Sequence, residues 1–530
     1  MYFDLAGFSA NMPAQATSYV RAGTYIRNTG TNIGALHVSR SGIPSARTVV
    51  QAYPGEELLA VICTDSGKCN YNPDPSQGAD GNAALSAMYY PNAAIYIAAD
   101  YVDVKGFKTY GMTVINNAHD SSIQDSDIGG GGPGTYGGTQ GQGQTVLITT
   151  AYNILVKNNK IHHSCRATDG LPGNQNGPAL MGYDFSATIE NNEFHDNWYG
   201  DIRLKDVGGQ QGRTTEIRYN LFKPSSIYPN GNGVEGIGQD GNIDYVYVHN
   251  NIFYNKHVGI GWAGSALVET VAYGNTFINN VNHGIDSWAT YPEPGIRTYN
   301  NLFYHSSGGS AFDYYFEASS PAAVLHSDYN MFYAVGGASS RWRNGALNTT
   351  SFAAWQAGGY DGHSINGADP SFLDVASCTA GVVSGCRRSS YVESMTGSPY
   401  GNHAGAYETG NECIGLLSGC ALQSSLAPST CGNPATCDSG ETCQSCPADC
   451  GSCCSPTDPG CGVSGGPAES KAAAGGGCAS GGGSMPAWGI TWLALAGVAG
   501  RSARLRRAGA ARLPRLRPPC REPRGRGGAR

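Results

Sequence analysis

Through the middle of the chain, short runs of alternating apolar and polar residues end repeatedly in Asn-x-Phe or Asn-x-Ile. The mark falls at Asn159/Ile161, Asn192/Phe194, Asn220/Phe222, Asn251/Phe253, Asn275/Phe277, Asn301/Phe303 and Asn330/Phe332. Successive marks are 33, 28, 31, 24, 26 and 29 residues apart, a period that predicts a solenoid. Each copy opens on a segment such as Ile154-Leu155-Val156, Ile217-Arg218-Tyr219 or Tyr245-Val246-Tyr247-Val248. Their period of two and their β-branched and aromatic residues predict strands, and no stretch keeps a helical period for long. The asparagine closing each strand is expected to turn the backbone through the left-handed region while its amide joins a ladder of stacked amides. Gly200, Gly259 and Gly284 follow their phenylalanines by 6, 6 and 7 residues.

This pattern resembles the right-handed parallel β-helix of the pectate-lyase type, an all-β fold. Composition agrees, with 76 Gly and 31 Tyr in 530 residues and 14% charged residues, because every coil needs several tight turns. One long domain is expected, its core a column of apolar side chains in which each coil covers its neighbour. Its opening coils are read in Tyr19-Val20-Arg21-Ala22-Gly23-Thr24-Tyr25 and Ala52-Tyr53-Pro54-Gly55-Glu56, which resemble those of secreted β-helix proteins. Its end is read in Ala368-Asp369-Pro370-Ser371-Phe372, Gly397-Ser398-Pro399 and Ala404-Gly405-Ala406-Tyr407-Glu408. The expected layout is a cap and first coils over 1–60 and the solenoid over 61–408. A Cys-rich module follows over 409–461, a Gly/Ser linker over 462–486, a hydrophobic anchor over 487–507 and a basic tail over 508–530.

The first residues show no basic region followed by an apolar run, so no secretory signal is visible, and a truncated or misassigned start is expected. The cysteines nevertheless point outside the cytoplasm. Twelve of the 17 lie between Cys378 and Cys461, a density that predicts disulfides in an oxidising compartment. Cys63 and Cys69 flank a loop and could pair as well. Cys443-x2-Cys446 and Cys450-x2-Cys453 also have zinc-like spacing. The segment 440–450 resembles Cys-rich stalks near the C-termini of secreted bacterial proteins. Cys478, the linker, the short apolar run 487–500 and Arg501, Arg504, Arg506 and Arg507 together resemble a MYXO-CTERM sorting tag. That resemblance implies a cell-surface protein held in the envelope. Residues 501–530 hold 11 Arg and one Glu. Such a tail suits anionic lipid or nucleic acid, but a shifted reading frame is the expectation, and no nucleic-acid partner is expected. Without the tail, residues 1–500 carry 22 basic and 39 acidic residues, a balance of −17, so whole-molecule steering would not favour an acidic polymer. A monomer is expected.

Outward side chains of a stacked sheet repeat every ~4.8 Å, a spacing suited to an extended polysaccharide. The densest candidate is the strand 199–206, in which alternation places Ile202 and Leu204 inward and Asp201, Arg203 and Lys205 outward. Resemblance to polysaccharide lyases of this fold implies Lys205 as the base of a β-elimination and Arg203 as the clamp on the sugar carboxylate. A calcium ion is implied with them, for which Asp184, Asp201, Asp206 and Glu235 are the available carboxylates. The same three charges also read as a solvated ion-pair ladder. Trp198, Tyr199, Trp262 and Trp288 form either a stacking platform for sugar rings or filler beneath a loop. His195 either assists as an acid or caps a turn. The Gly-rich stretch 129–143 reads as a loop near this cleft. A glycoside hydrolase built on Asp240 and Asp286 and a non-catalytic glycan-binding adhesin are the alternatives. The Asn-Thr-Asp, Asp-Asp and Gly-His-Gly marks of polygalacturonases are absent.

Overall fold

A computed structural model describes residues 5–26, 34–63, 93–130, 144–164, 177–197, 200–207, 214–225, 235–262, 266–287, 296–306, 311–317, 325–391 and 394–416. The expected Cys-rich module beyond 416, the linker, the anchor and the tail lie outside these residues, as does most of the Gly-rich stretch.

Among the described residues, twenty strands join one sheet and twelve a second, and all but one pairing between named strands is parallel. The sheets resolve into three faces of a coil. One face stacks Leu36–Val38, Ile95–Ile97, Thr113–Asn116 and, later, Gly200–Val207, Val258–Trp262, His283–Ser287 and Phe312–Phe316. Long strands such as Val146–Lys157, Leu180–Glu190 and Glu235–His249 bend from this face into the next. The third face is the second sheet, running from Gly23–Ile26 to Ile365–Asn366.

The interior is built from columns one residue wide. Phe194, Phe222, Phe253, Phe277, Phe303 and Phe332 stack face to face, with centroids 4.7 to 5.2 Å apart. Beside them, in register, run Ile202, Ile237, Ile260, Ile285, Tyr314 and Trp342. Glycine makes room for the rings, since an added Cβ at Gly236 or Gly259 would sit 2.6 Å from Phe253 or Phe277.

The asparagine ladder exists and is continuous. The Oδ1 of Asn251 accepts from the backbone N–H of Asn220 at 2.9 Å and from its amide at 3.0 Å. That amide also donates to the carbonyls of Ile189 and Arg218 at 2.8 and 2.9 Å. The same unit repeats at Asn159, Asn192, Asn251, Asn275 and Asn301, all fully buried. One expectation is corrected. The left-handed residue is the one before each ladder asparagine, at Asn158, Asn191, Tyr219, Asn250, Gly274, Asn300 and Tyr329, with φ between 52° and 58°. The corner is turned one residue early, which leaves the next side chain pointing into the coil.

Both ends of the column are covered. At the start, the helix Leu5–Asn11 packs on Leu36–Val38, with Leu5 and Met12 in the core and the His37 N–H on Ser9 Oγ at 3.1 Å. At the end, Asn330 donates to Asp361, a buried carboxyl that also accepts from Trp355 Nε1 and from Ser327 and Ser364 at 2.6 to 2.7 Å. Beyond the last coil, the chain returns along the outside of the stack. Gly405 N–H donates to Asn300 O at 2.7 Å, Asn250 donates to Ala406 O at 3.2 Å, and Gly415 N–H to Tyr219 O at 2.8 Å. The closing motif 404–408 therefore lies in a strap, not in a coil. Cys378–Cys386 is a disulfide just before it, and Cys63 and Cys413 are also disulfide-bonded.

Removing one rung should break five hydrogen bonds in a dry interior. Asn220→Ala is expected to lower unfolding free energy by about 2–4 kcal/mol, against less than about 0.5 kcal/mol for the exposed Asn411→Ala. Denaturant titration of both variants checks this.

Candidate functional site

The register of the first face decides which side chains share an outward column. Met181, Arg203, Gly238, Gly261, Asp286, Tyr315 and Arg343 are direct neighbours on successive coils. Tyr183 and Lys205 stand together in the next outward column. Arg203 Nη1 meets Glu235 Oε2 at 2.5 Å, and Arg203 is 6% exposed. Glu235 reaches Arg203 across Gly238, where an added Cβ would lie 2.1 Å from the carboxylate. At Gly261 an added Cβ would meet Asp286 Oδ1 at 2.9 Å and Glu235 Oε1 at 3.4 Å, so two carboxylates face one small space. Asp286 Oδ2 holds His283 Nδ1 at 2.7 Å. The His283 ring stacks on Tyr315 at 4.3 Å, and Arg343 lies over Tyr315 at 4.8 Å while donating to its hydroxyl at 2.9 Å. Lys205 Nζ lies 6.0 Å from the centre of the Tyr183 ring.

Several expected site residues are elsewhere. Asp201 points inward, not outward, and is fully buried against Lys256 Nζ at 2.7 Å, itself fully buried. Its position is in register with Gly236, Gly259 and Gly284, the inward corner of the coil, so strict alternation fails one residue before Ile202. Burial, more than the nearby lysine can offset, raises the Asp201 carboxyl above its usual range. Trp262 is also interior, in register with Gln239 on one side and Ser287 on the other, and is core filler, not a platform. Asp184 accepts from Tyr152 Oη at 2.8 Å. Trp198, Tyr199, Trp288 and the side chains of Asp206 and Asp240 lie outside the described residues. Asp184, Asp201 and Glu235 thus have separate partners, and no group of three or more His, Cys, Asp or Glu among the described residues is placed to hold a metal ion. Among the described residues, Asp184, Asp201 and Glu235 do not converge on one ion. Arg203 carries Glu235, so its charge is already matched.

His195 sits on the second sheet, away from Lys205. It stacks on His162 at 4.9 Å and bonds Asp196 at 2.7 Å through Nδ1. His162 bonds Asp127 at 2.5 Å and touches His163 ring to ring. Burial, reinforced by the charge of His162, depresses the His163 imidazole to about 3. Burial pushes the Asp127 carboxyl up, but the bond to His162 together with the charges of His162, Lys108 and Lys160 holds it below its usual range.

The register pairs were not readable from alternation alone. Tyr183, Tyr315 and Arg343 carry no local motif, and their company with Arg203 depends on loop lengths that set which strand stacks on which.

Residues 100–303 match a family model described as a right-handed β-helix region. The chain is a right-handed parallel β-helix. Among solved structures, this β-helix is similar to pectate lyase Pel9A, with TM-score 0.42 and 15% identity over 76% of this chain and 90% of that one. It is similar to an alginate lyase from Paenibacillus sp. str. FPU-7 at 0.34 and 13%, over 64% and 95%. PfbA, a surface adhesin of Streptococcus pneumoniae, follows at 0.30 and 11%, over 65% and 90%. Such values say nothing of chemistry. No curated protein sequence matches the β-helix.

Two outcomes follow from this geometry. Lys256→Met strands a buried carboxyl and should cost about 3–5 kcal/mol. Lys256→Asn with Asp201→Gly copies Asn280 and Gly236 of neighbouring coils and should recover most of that loss in thermal unfolding. The folded pKa of His163 lies below the unfolded value of ~6.5, so its stabilisation is complete above that pH and is lost as pH falls toward 3, at no more than about 1.4 kcal/mol per unit. His163→Asn, which keeps a left-handed backbone, should flatten the pH dependence of stability between pH 6.5 and 4.

Proposed function

We propose that the outer face carrying Arg203, Lys205, Tyr183, Tyr315 and Arg343 binds an acidic polysaccharide laid along the stack. The observation that carries this reading is the recurrence of cations and ring faces in two adjacent outward columns. Coils ~4.8 Å apart offer a polymer the same chemistry at a regular rise. The ring faces would pack on sugar rings, and the guanidinium and ammonium groups would meet carboxylates. Because Arg203 already holds a carboxylate, a sugar carboxylate would take the place of Glu235.

A second reading, cleavage by β-elimination, is favoured by Lys205 and Tyr183 lying side by side on adjacent coils. The reaction needs a base for the proton α to the sugar carboxylate and an acid for the leaving oxygen, and an amine beside a phenol supplies both. The carboxylate pair at Gly261 would suit hydrolysis instead. We also propose that the protein acts outside the cytoplasm or on the cell surface, a reading supported by the disulfide Cys378–Cys386.

The test is ultraviolet absorbance of the unsaturated product during incubation with pectate, alginate and glycosaminoglycans. Turnover is expected on one of them, with Lys205→Ala lowering kcat by about 100-fold or more at unchanged thermal stability. New reducing ends without absorbance would replace elimination by hydrolysis. Retention of glycan without either product would leave binding alone, and no retention of any acidic glycan would overturn the proposal.

A further inference from the structure

We propose that a second, separate site binds one sugar residue that lacks a carboxylate, neutral or amino-substituted, in a pocket at the bend between the first and second faces. The pocket has a volume of about 260 Å³ and is lined by Asp100, Tyr101, His119, Asp120, Tyr152 and Asn153. That is just below the ~300 Å³ at which pockets for drug-sized ligands begin, a size for a single ring. The proposal does not rest on the polysaccharide reading above.

The walls come from three successive coils. Tyr101, Asp120 and Asn153 each take a left-handed backbone, with φ of 55°, 51° and 56°, so the chain turns sharply at the same place three times. The His119 and Tyr152 rings stack at 5.3 Å and 12°, making an aromatic wall. Polar atoms are held in place from behind. Asp100 Oδ1 accepts from the His119 N–H at 2.7 Å, Asp120 Oδ1 from the Asn153 amide at 3.2 Å, and Tyr152 Oη donates to Asp184 at 2.8 Å. A carboxylate offers two oxygens and about four acceptor sites, so each aspartate retains capacity for ligand hydroxyls.

Charge decides which sugar. Two carboxylates line the pocket, and neither Lys nor Arg does. The guanidinium of Arg47 is bidentate to Asp103 at 2.8 Å and donates from Nη2 to the Asp120 carbonyl at 2.6 Å, so it is drawn to the backbone behind the pocket. A uronate would meet like charge here, whereas hydroxyls or an ammonium would donate to Asp100 and Asp120. Flat rings with carboxylate acceptors beside them match the alternating apolar face and hydroxyl rim of a pyranose.

Saturation-transfer NMR on the full chain, with methyl glucoside, glucosamine and glucuronate as probes, tests this. Signal is expected from the first two and not from glucuronate. Tyr101→Asn keeps the left-handed turn and removes a ring, and should weaken binding roughly fivefold or more. Asp120→Asn also keeps the turn, and should weaken glucosamine more than the neutral glycoside. Absence of signal from all three probes, equal signal from glucuronate, or unchanged affinity in both folded variants would overturn the assignment.

Discussion

The asparagine ladder is the constraint on which the other parts depend. Each amide satisfies a backbone N–H of one coil, carbonyls of the corner and the amide of the next coil. In a dry corner those groups would otherwise be costly. The ladder therefore makes the corner possible, and a corner at the same place in every coil keeps the strands on either side in register. The phenylalanine two residues later stacks because the asparagine before it is already stacked. Where the ladder ends, Asp361 replaces the missing asparagine and gathers donors from Asn330, Trp355, Ser327 and Ser364.

Regular corners also create the outer faces. With register fixed, residues far apart in sequence become neighbours in a column, as Arg203, Asp286, Tyr315 and Arg343 do. The same regularity shows where the molecule departs from it. Asp201 and Lys256 replace a glycine and an asparagine of the repeat and form a buried ion pair. Such a pair contributes little net stability over an apolar or amide alternative, yet strongly penalises losing one partner. Left-handed corner residues serve a second purpose, since Asn191, Asn250 and Asn300 turn their amides outward to hold the returning strap. Three corners on the other side, at Tyr101, Asp120 and Asn153, line the pocket instead.

Sequence by itself determined the coil. The Asn-x-Phe period named the solenoid, its strands and its amide ladder, because a rung and a stacked ring need particular side chains in every coil and so write themselves as a repeat. It placed Ile202 and Leu204 inside and Lys205 outside. It misjudged Asp201, because alternation holds within a strand but not through the corner that precedes it, and it left Trp262 open between platform and filler, because nothing local shows that its large ring occupies an inward column that other coils fill with Leu204, Gln239 or Ser287. The company of Glu235 with Arg203, of His283 with Tyr315, and of His119 with Tyr152 was decided only by tertiary structure. Those contacts run between coils, across turns of unequal length, and depend on a stacking register that no local pattern encodes.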